Sequence, residues 1–167
     1  MDLRRLRAGE WIAAASGVVL IVSLFLPWYD AGPLDVTAWE AFAMIDVLLF
    51  VAGAIGIGVL LITASQSTAA VGVATQALAL LITAPIAVLT LIRVLNLPGD
   101  LDAAGADRAP FAWIGLLAAV GVAVGSLVAM RDERASRAGR PTDPTGVPVD
   151  APPEIETLPA PPRAASP

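Results

Sequence analysis

The chain has 167 residues, of which 57% are hydrophobic and 15% charged, with a formal net charge of -5. A soluble domain of this length needs about a quarter of its residues charged to cover its surface, so the composition excludes a water-soluble globular domain. Cys, His and Lys are absent and the ten basic residues are all Arg. That removes disulfides, thiolate and imidazole metal sites, Cys or His nucleophiles and Schiff-base chemistry.

In chain order, residues 1–10 carry Arg4, Arg5 and Arg7 and read as a basic, cytoplasmic N-terminus. Four apolar runs follow at 11–28, 38–63, 69–97 and 111–130. Each is close to the roughly 20 residues an α-helix needs to cross the hydrocarbon core, and each lacks the polar face of a soluble helix. The expected fold is therefore all-α, a polytopic membrane protein whose four transmembrane helices form an up-down bundle over 11–130. The Arg-rich start imitates a signal peptide, but Leu26-Pro27-Trp28-Tyr29-Asp30 offers no small-x-small cleavage site, so a retained first helix is expected.

Basic residues in short flanks stay on the cytoplasmic side. Arg4, Arg5 and Arg7 precede the first run, and Arg131, Arg134, Arg137 and Arg140 follow the fourth. Asp30 and Asp35 lie between the first two runs with Glu40 at the start of the second, and Asp100, Asp102, Asp107 and Arg108 lie between the last two. A multi-pass protein of the cytoplasmic membrane with both termini inside is expected, its Arg clusters facing anionic inner-leaflet lipid. The aromatic residues agree, with Trp11 at the inner level and Trp28, Tyr29, Trp39, Phe111 and Trp113 near the outer one. Thr37-Ala38-Trp39-Glu40 has the spacing of a capping box and predicts a helix start.

The third run is the most polar. Thr75, Gln76, Thr83, Thr90 and Arg93 fall within an arc of about 100° on an ideal helix, and that polar seam should face protein because Arg and Gln facing lipid are costly. It reads either as an interhelical hydrogen-bond seam or as part of a polar pathway. Asp46 and Arg93 are the two ionisable residues that the runs cannot place in water. On continuous helices they lie roughly 10 Å and 6 Å from the outer ends, so an intramembrane charge pair is expected. Otherwise Arg93 snorkels to the headgroups while Asp46 is protonated or faces a water-filled crevice.

Small residues at four-residue spacing, Ala13/Gly17, Ala52/Gly56, Ala54/Gly58 and Gly121/Gly125 with Ala129, allow close helix approach. Intramolecular packing is the favoured use and a homo-oligomer face the other. The acidic residues between runs offer oxygen ligands for a hard cation but lack EF-hand spacing; no metal or cofactor is expected, and neither is nucleic-acid binding. Beyond Arg131, nine of the 27 residues from Pro141 are Pro, so residues 131–167 are expected to form a cytoplasmic, disordered tail. Its Pro159-Ala160-Pro161-Pro162-Arg163 run is a minimal docking-strand match, against which stands the plain solvated terminus.

Phe25-Leu26-Pro27-Trp28-Tyr29, then Thr37-Ala38-Trp39-Glu40-Ala41-Phe42 and Asp46, resembles a group of small, uncharacterised four-helix membrane proteins of high-GC actinobacteria. The likeness covers about residues 8–134 and implies membrane location and topology, with no activity attached. With no nucleophile and base pair apparent, the expected role is a non-catalytic accessory or scaffold subunit of a membrane complex. The alternative is a small oligomeric transporter, channel or sensor that uses the polar face of the third helix. Either reading leaves room for a membrane-protein partner or a homo-oligomer.

Overall fold

A computed structural model describes residues 6, 8–32, 35–42, 44–65, 69–97, 99–103 and 105–134. The proline-rich tail and its docking-strand match lie outside the described residues. The order of elements is α1 (Ala8–Ser23), β1 (Pro27–Asp30), β2 (Asp35–Thr37), α2 (Ala38–Ala41), α3 (Ile45–Ser65), α4 (Ala69–Leu95), α5 (Gly99–Ala103), β3 (Asp107–Arg108) and α6 (Pro110–Arg134). The chain is mostly helical, and α3, α4 and α6 are each long and apolar enough to cross a membrane. At 16 residues α1 is shorter, about 24 Å.

The fourth expected helix continues to Arg134, so the first residues of the expected tail are helical, and the first two expected helices differ more. The first stops at Ser23 instead of running to Trp28, because the chain turns over Leu24–Leu26 and Pro27 opens a strand. The Ser23 hydroxyl bonds back to the Leu20 carbonyl at 2.7 Å, and the Trp28 indole N–H caps the Ser23 carbonyl at 2.8 Å. The second expected helix is split. Phe42 is extended, with φ -124 and ψ 126, between α2 and α3. That break buries its ring against Trp28 and Tyr29, edge-on at centroid distances of 5.6 and 6.0 Å, an arrangement that favours aromatic pairs. Trp28 and Tyr29 are consequently buried rather than facing headgroups.

The connections at one end of the bundle form a small antiparallel sheet of order β2-β1-β3. Tyr29 stands opposite Val36 on one side and Arg108 on the other. Two glycines with positive φ, Gly32 at 80° and Gly105 at 69°, turn the chain where side chains are disfavoured; Gly32 N–H bonds the Asp30 carboxylate, and Gly105 ends α5. At the start of α2, Thr37 donates from both its backbone N–H and its hydroxyl to the Glu40 carboxylate, each at 2.9 Å.

The four long helices form a ring. α1 packs most extensively on α6 and α3, α4 packs on α6, and α3 meets α4 sparsely. α1 starts and α6 finishes at the end remote from the sheet, here called the terminal end. Glycine brings these backbones together. A Cβ on Gly17 would lie 2.5 Å from the Gly53 carbonyl oxygen, and one on Gly56 2.6 Å from that of Ala13. Gly121 sits against Ser16, Gly125 against the Ala13 backbone and Gly9 against Ala129. The small-residue stripes of α1 and α6, and Gly56 on α3, thus serve intramolecular contact, whereas Ala54 is exposed and nothing lies within 4 Å of a Cβ on Gly58. The main apolar cluster gathers toward the sheet end, around Leu20, Leu24, Trp28, Tyr29, Phe42, Leu49, Ile86, Val94 and Leu116.

Candidate functional site

The candidate site is the buried face of α4. Gln76, Ala79, Thr83, Ile86, Thr90 and Val94 recur every three or four residues and all are buried, as one helix face should be. Thr75 is half-buried on the flank of that face and Arg93 is exposed. The hydroxyls are satisfied within their own helix: Thr83 donates to the Ala79 carbonyl at 2.8 Å and Thr90 to that of Ile86 at 2.7 Å. Ser126 on the facing α6 does the same with Val122 at 3.0 Å. Such back-bonding lets a Ser or Thr sit in an apolar interface without a partner on the next helix. Gln76 cannot do this. It is fully buried, and neither Nε2 nor Oε1 has a hydrogen-bond partner, a condition costing roughly 1–3 kcal/mol per group.

At its other end α4 is capped from the sheet. Arg108 Nε and Nη2 donate to the Val94 and Leu95 carbonyls at 2.5 and 2.6 Å, and the Tyr29 hydroxyl donates to the Arg93 carbonyl at 3.3 Å. These are carbonyls that a helix end leaves without intrahelical partners, and a cation there also suits the helix dipole. Burial pushes the Tyr29 phenol above its ordinary value of 10.0, against the opposing pull of the Arg108 and Arg93 guanidiniums. Neither Tyr29 nor Arg108 was singled out as functional from the sequence; the signal was an Arg in an otherwise acidic connection, close behind the end of the third run.

Asp46 and Arg93 do not form the expected charge pair. Since α3 begins at Ile45, Asp46 sits in its first turn, 5% exposed, with Oδ1 accepting the Val47 N–H at 2.7 Å. Arg93 lies in the last turn of α4 with its side chain exposed. The break at Phe42 moves Asp46 to a helix N-terminus, where backbone N–H groups favour a carboxylate, so the physical need for an Arg partner is reduced.

Glu10 is a buried residue that the sequence left in a solvated N-terminus; it sits on α1 beside Gly9, which packs on α6. Between α3 and α4 runs an apolar groove of about 410 Å³, lined in part by Phe50, Ala54, Gly58, Ile62, Leu78 and Ile82. A second groove, between α4 and the last turns of α6, is bounded by Ala77, Leu81, Pro85 and Met130. Trp11, at the terminal end, and Trp113, at the sheet end, are exposed. Phe25, Trp39 and Phe50 pack in series with tilted rings, their centroids 5.9 and 6.3 Å apart.

No family model, curated protein or solved structure matches this chain.

Proposed function

We propose that this is a non-catalytic, four-crossing protein of the cytoplasmic membrane that acts as an accessory or scaffold subunit, with both termini and the Arg clusters against anionic inner-leaflet lipid. The observation that carries this reading is the interlocking of α1 with α3 and α6 through Gly9, Gly17, Gly53, Gly56, Gly121 and Gly125. Contacts this close spend the small-residue faces on rigidity inside the chain. They leave apolar helix faces outward for lipid or a partner. On this reading α1 crosses as a short helix and the sheet seals the outer ends.

The unpartnered amide of Gln76 favours a second reading, in which the polar face of α4 serves a small oligomeric transporter, channel or sensor. Purification from native membranes in mild detergent separates the two. A stoichiometric membrane-protein partner fits the accessory role, and a homo-oligomer that passes ions in liposomes fits the second. Topology is testable independently because the chain has no native Cys. Single Cys residues replacing Ala31 and Ala104 should react with an impermeant thiol reagent in intact cells, while those replacing Ser67 and Ala138 should not; the reverse pattern sinks the proposed orientation.

A further inference from the structure

We propose that the terminal half of α4, up to Ala84, is a hinged arm that pivots at Pro85 toward α3 and closes the groove between them. Four separate features of the structure converge on it. Proline has no N–H, so Pro85 deprives α4 of the bond to the Leu81 carbonyl, and its ring crowds that carbonyl. In a helix this is a recognised cause of bending.

The two sides of Pro85 are also held differently. Ile86, Ala87 and Val94 belong to the main apolar cluster, and the end of the helix is fastened by Tyr29 and Arg108. Among the described side chains, none of α4 before Pro85 is in that cluster. A helix packed by large apolar side chains cannot move without tearing them out of a core, whereas the buried residues described in this half, Gln76, Ala79 and Thr83, include no large apolar one.

Space is present on both flanks of the arm. The groove toward α3 is bordered by the small Ala54 and Gly58, with Leu78 and Ile82 of the arm on its other wall. The second groove reaches Pro85 itself and separates Ala77 and Leu81 from Met130. A Cβ on Gly58 would meet nothing within 4 Å, so α3 offers a surface onto which the arm can close.

The packed position is, finally, not a satisfied one. Gln76 is the polar anchor of the arm, and it makes no hydrogen bond there. Moving the arm forfeits no bond at Gln76. Thr83 carries its own hydrogen bond to Ala79 with it. The hinge stands whichever functional reading holds.

Distance measurements between spin labels on the full chain in liposomes test this. One pair, replacing Ile62 and Leu78 with Cys, spans the groove; a second, replacing Leu48 and Leu91, spans the same helices on the sheet side of the hinge. The first pair should give two distance populations and the second a single one. Pro85→Ala, which restores the N–H, should abolish the shorter population of the first pair. If that variant does not assemble, Gln76→Leu, which makes the packed position apolar, should produce the same loss. A single distance for the first pair in the unaltered arm, or two populations that survive the substitution, overturns the hinge.

Discussion

Gly17 and Gly58 should respond in opposite ways to the same added methyl group. On Gly17 the new Cβ would sit 2.5 Å from the Gly53 carbonyl oxygen, where ordinary contact begins at 3.4 Å, so α1 and α3 must separate by about 0.9 Å. Backbone cannot rotate out of the way as a flexible side chain can, and overpacking of this kind costs typically ~1–3 kcal/mol. Replacing glycine within a helix returns ~0.5–1 kcal/mol, which leaves Gly17→Ala destabilised by roughly 1–2 kcal/mol. Gly58→Ala meets nothing within 4 Å and keeps only the gain. The variants should therefore differ by about 2 kcal/mol, more than tenfold in the folding equilibrium. Reversible unfolding by titrating SDS into mild-detergent micelles, followed by tryptophan fluorescence, reads the difference. A Gly17→Ala protein as stable as the unaltered chain would refute the close approach of α1 and α3.

Arg108→Gln removes the guanidinium from the last carbonyls of α4. Amide exchange over residues 92–97 should speed up about tenfold, a small effect for a charged hydrogen bond because the group is partly exposed; unchanged exchange would mean that the cap is idle. Tyr29 is the single tyrosine of the chain, so phenolate absorbance reports it alone. Its raised value means that its stabilising contribution is complete below pH 10.0, the unfolded value, and is lost as pH rises through the higher folded one; a phenol titrating at or below 10.0 contradicts its burial. For Glu40 the sign reverses. The Thr37 N–H and hydroxyl hold its carboxyl below 4.5, so the cap persists above pH 4.5 and fails as pH falls through the lower folded value, which the Thr37 amide chemical shift should follow. Finally, Asp46→Asn and Arg93→Gln should lose stability additively, as separate sites do; a clear coupling energy would restore the charge pair.

The long helices were legible because hydropathy is a property of length, and α3, α4 and α6 keep it for most of their course. The inward face of α4 was legible for Gln76, Thr83 and Thr90, since polar side chains in an apolar helix must find protein. The break at Phe42 was not. Phe42, Ala43 and Met44 are apolar, and neither Gly nor Pro marks the interruption; what ends α2 is the aromatic site offered by Trp28 and Tyr29, a tertiary effect. That unseen break is also why the depth argument for Asp46 and Arg93 went astray. The sheet was equally hidden, because strands of two to four residues are too short to show alternation. Glu10 was misplaced for a simpler reason: a charge beside an Arg-rich segment reads as solvated until a helix is known to pack over it.

The sheet and the α1–α6 contact join the earliest and latest parts of the chain. Ala109 N–H bonds the Trp28 carbonyl at 2.9 Å, and Arg108 pairs with Tyr29, yet about 80 residues of synthesis separate the partners. A nascent chain therefore holds α1 with its glycine face partly uncovered until α6 has emerged. Such long-range closure is slow and entropically costly. A ribosome stalled before Pro110 would leave a three-helix fragment lacking its main packing partner, so membrane quality control should remove truncated chains far more readily than complete ones.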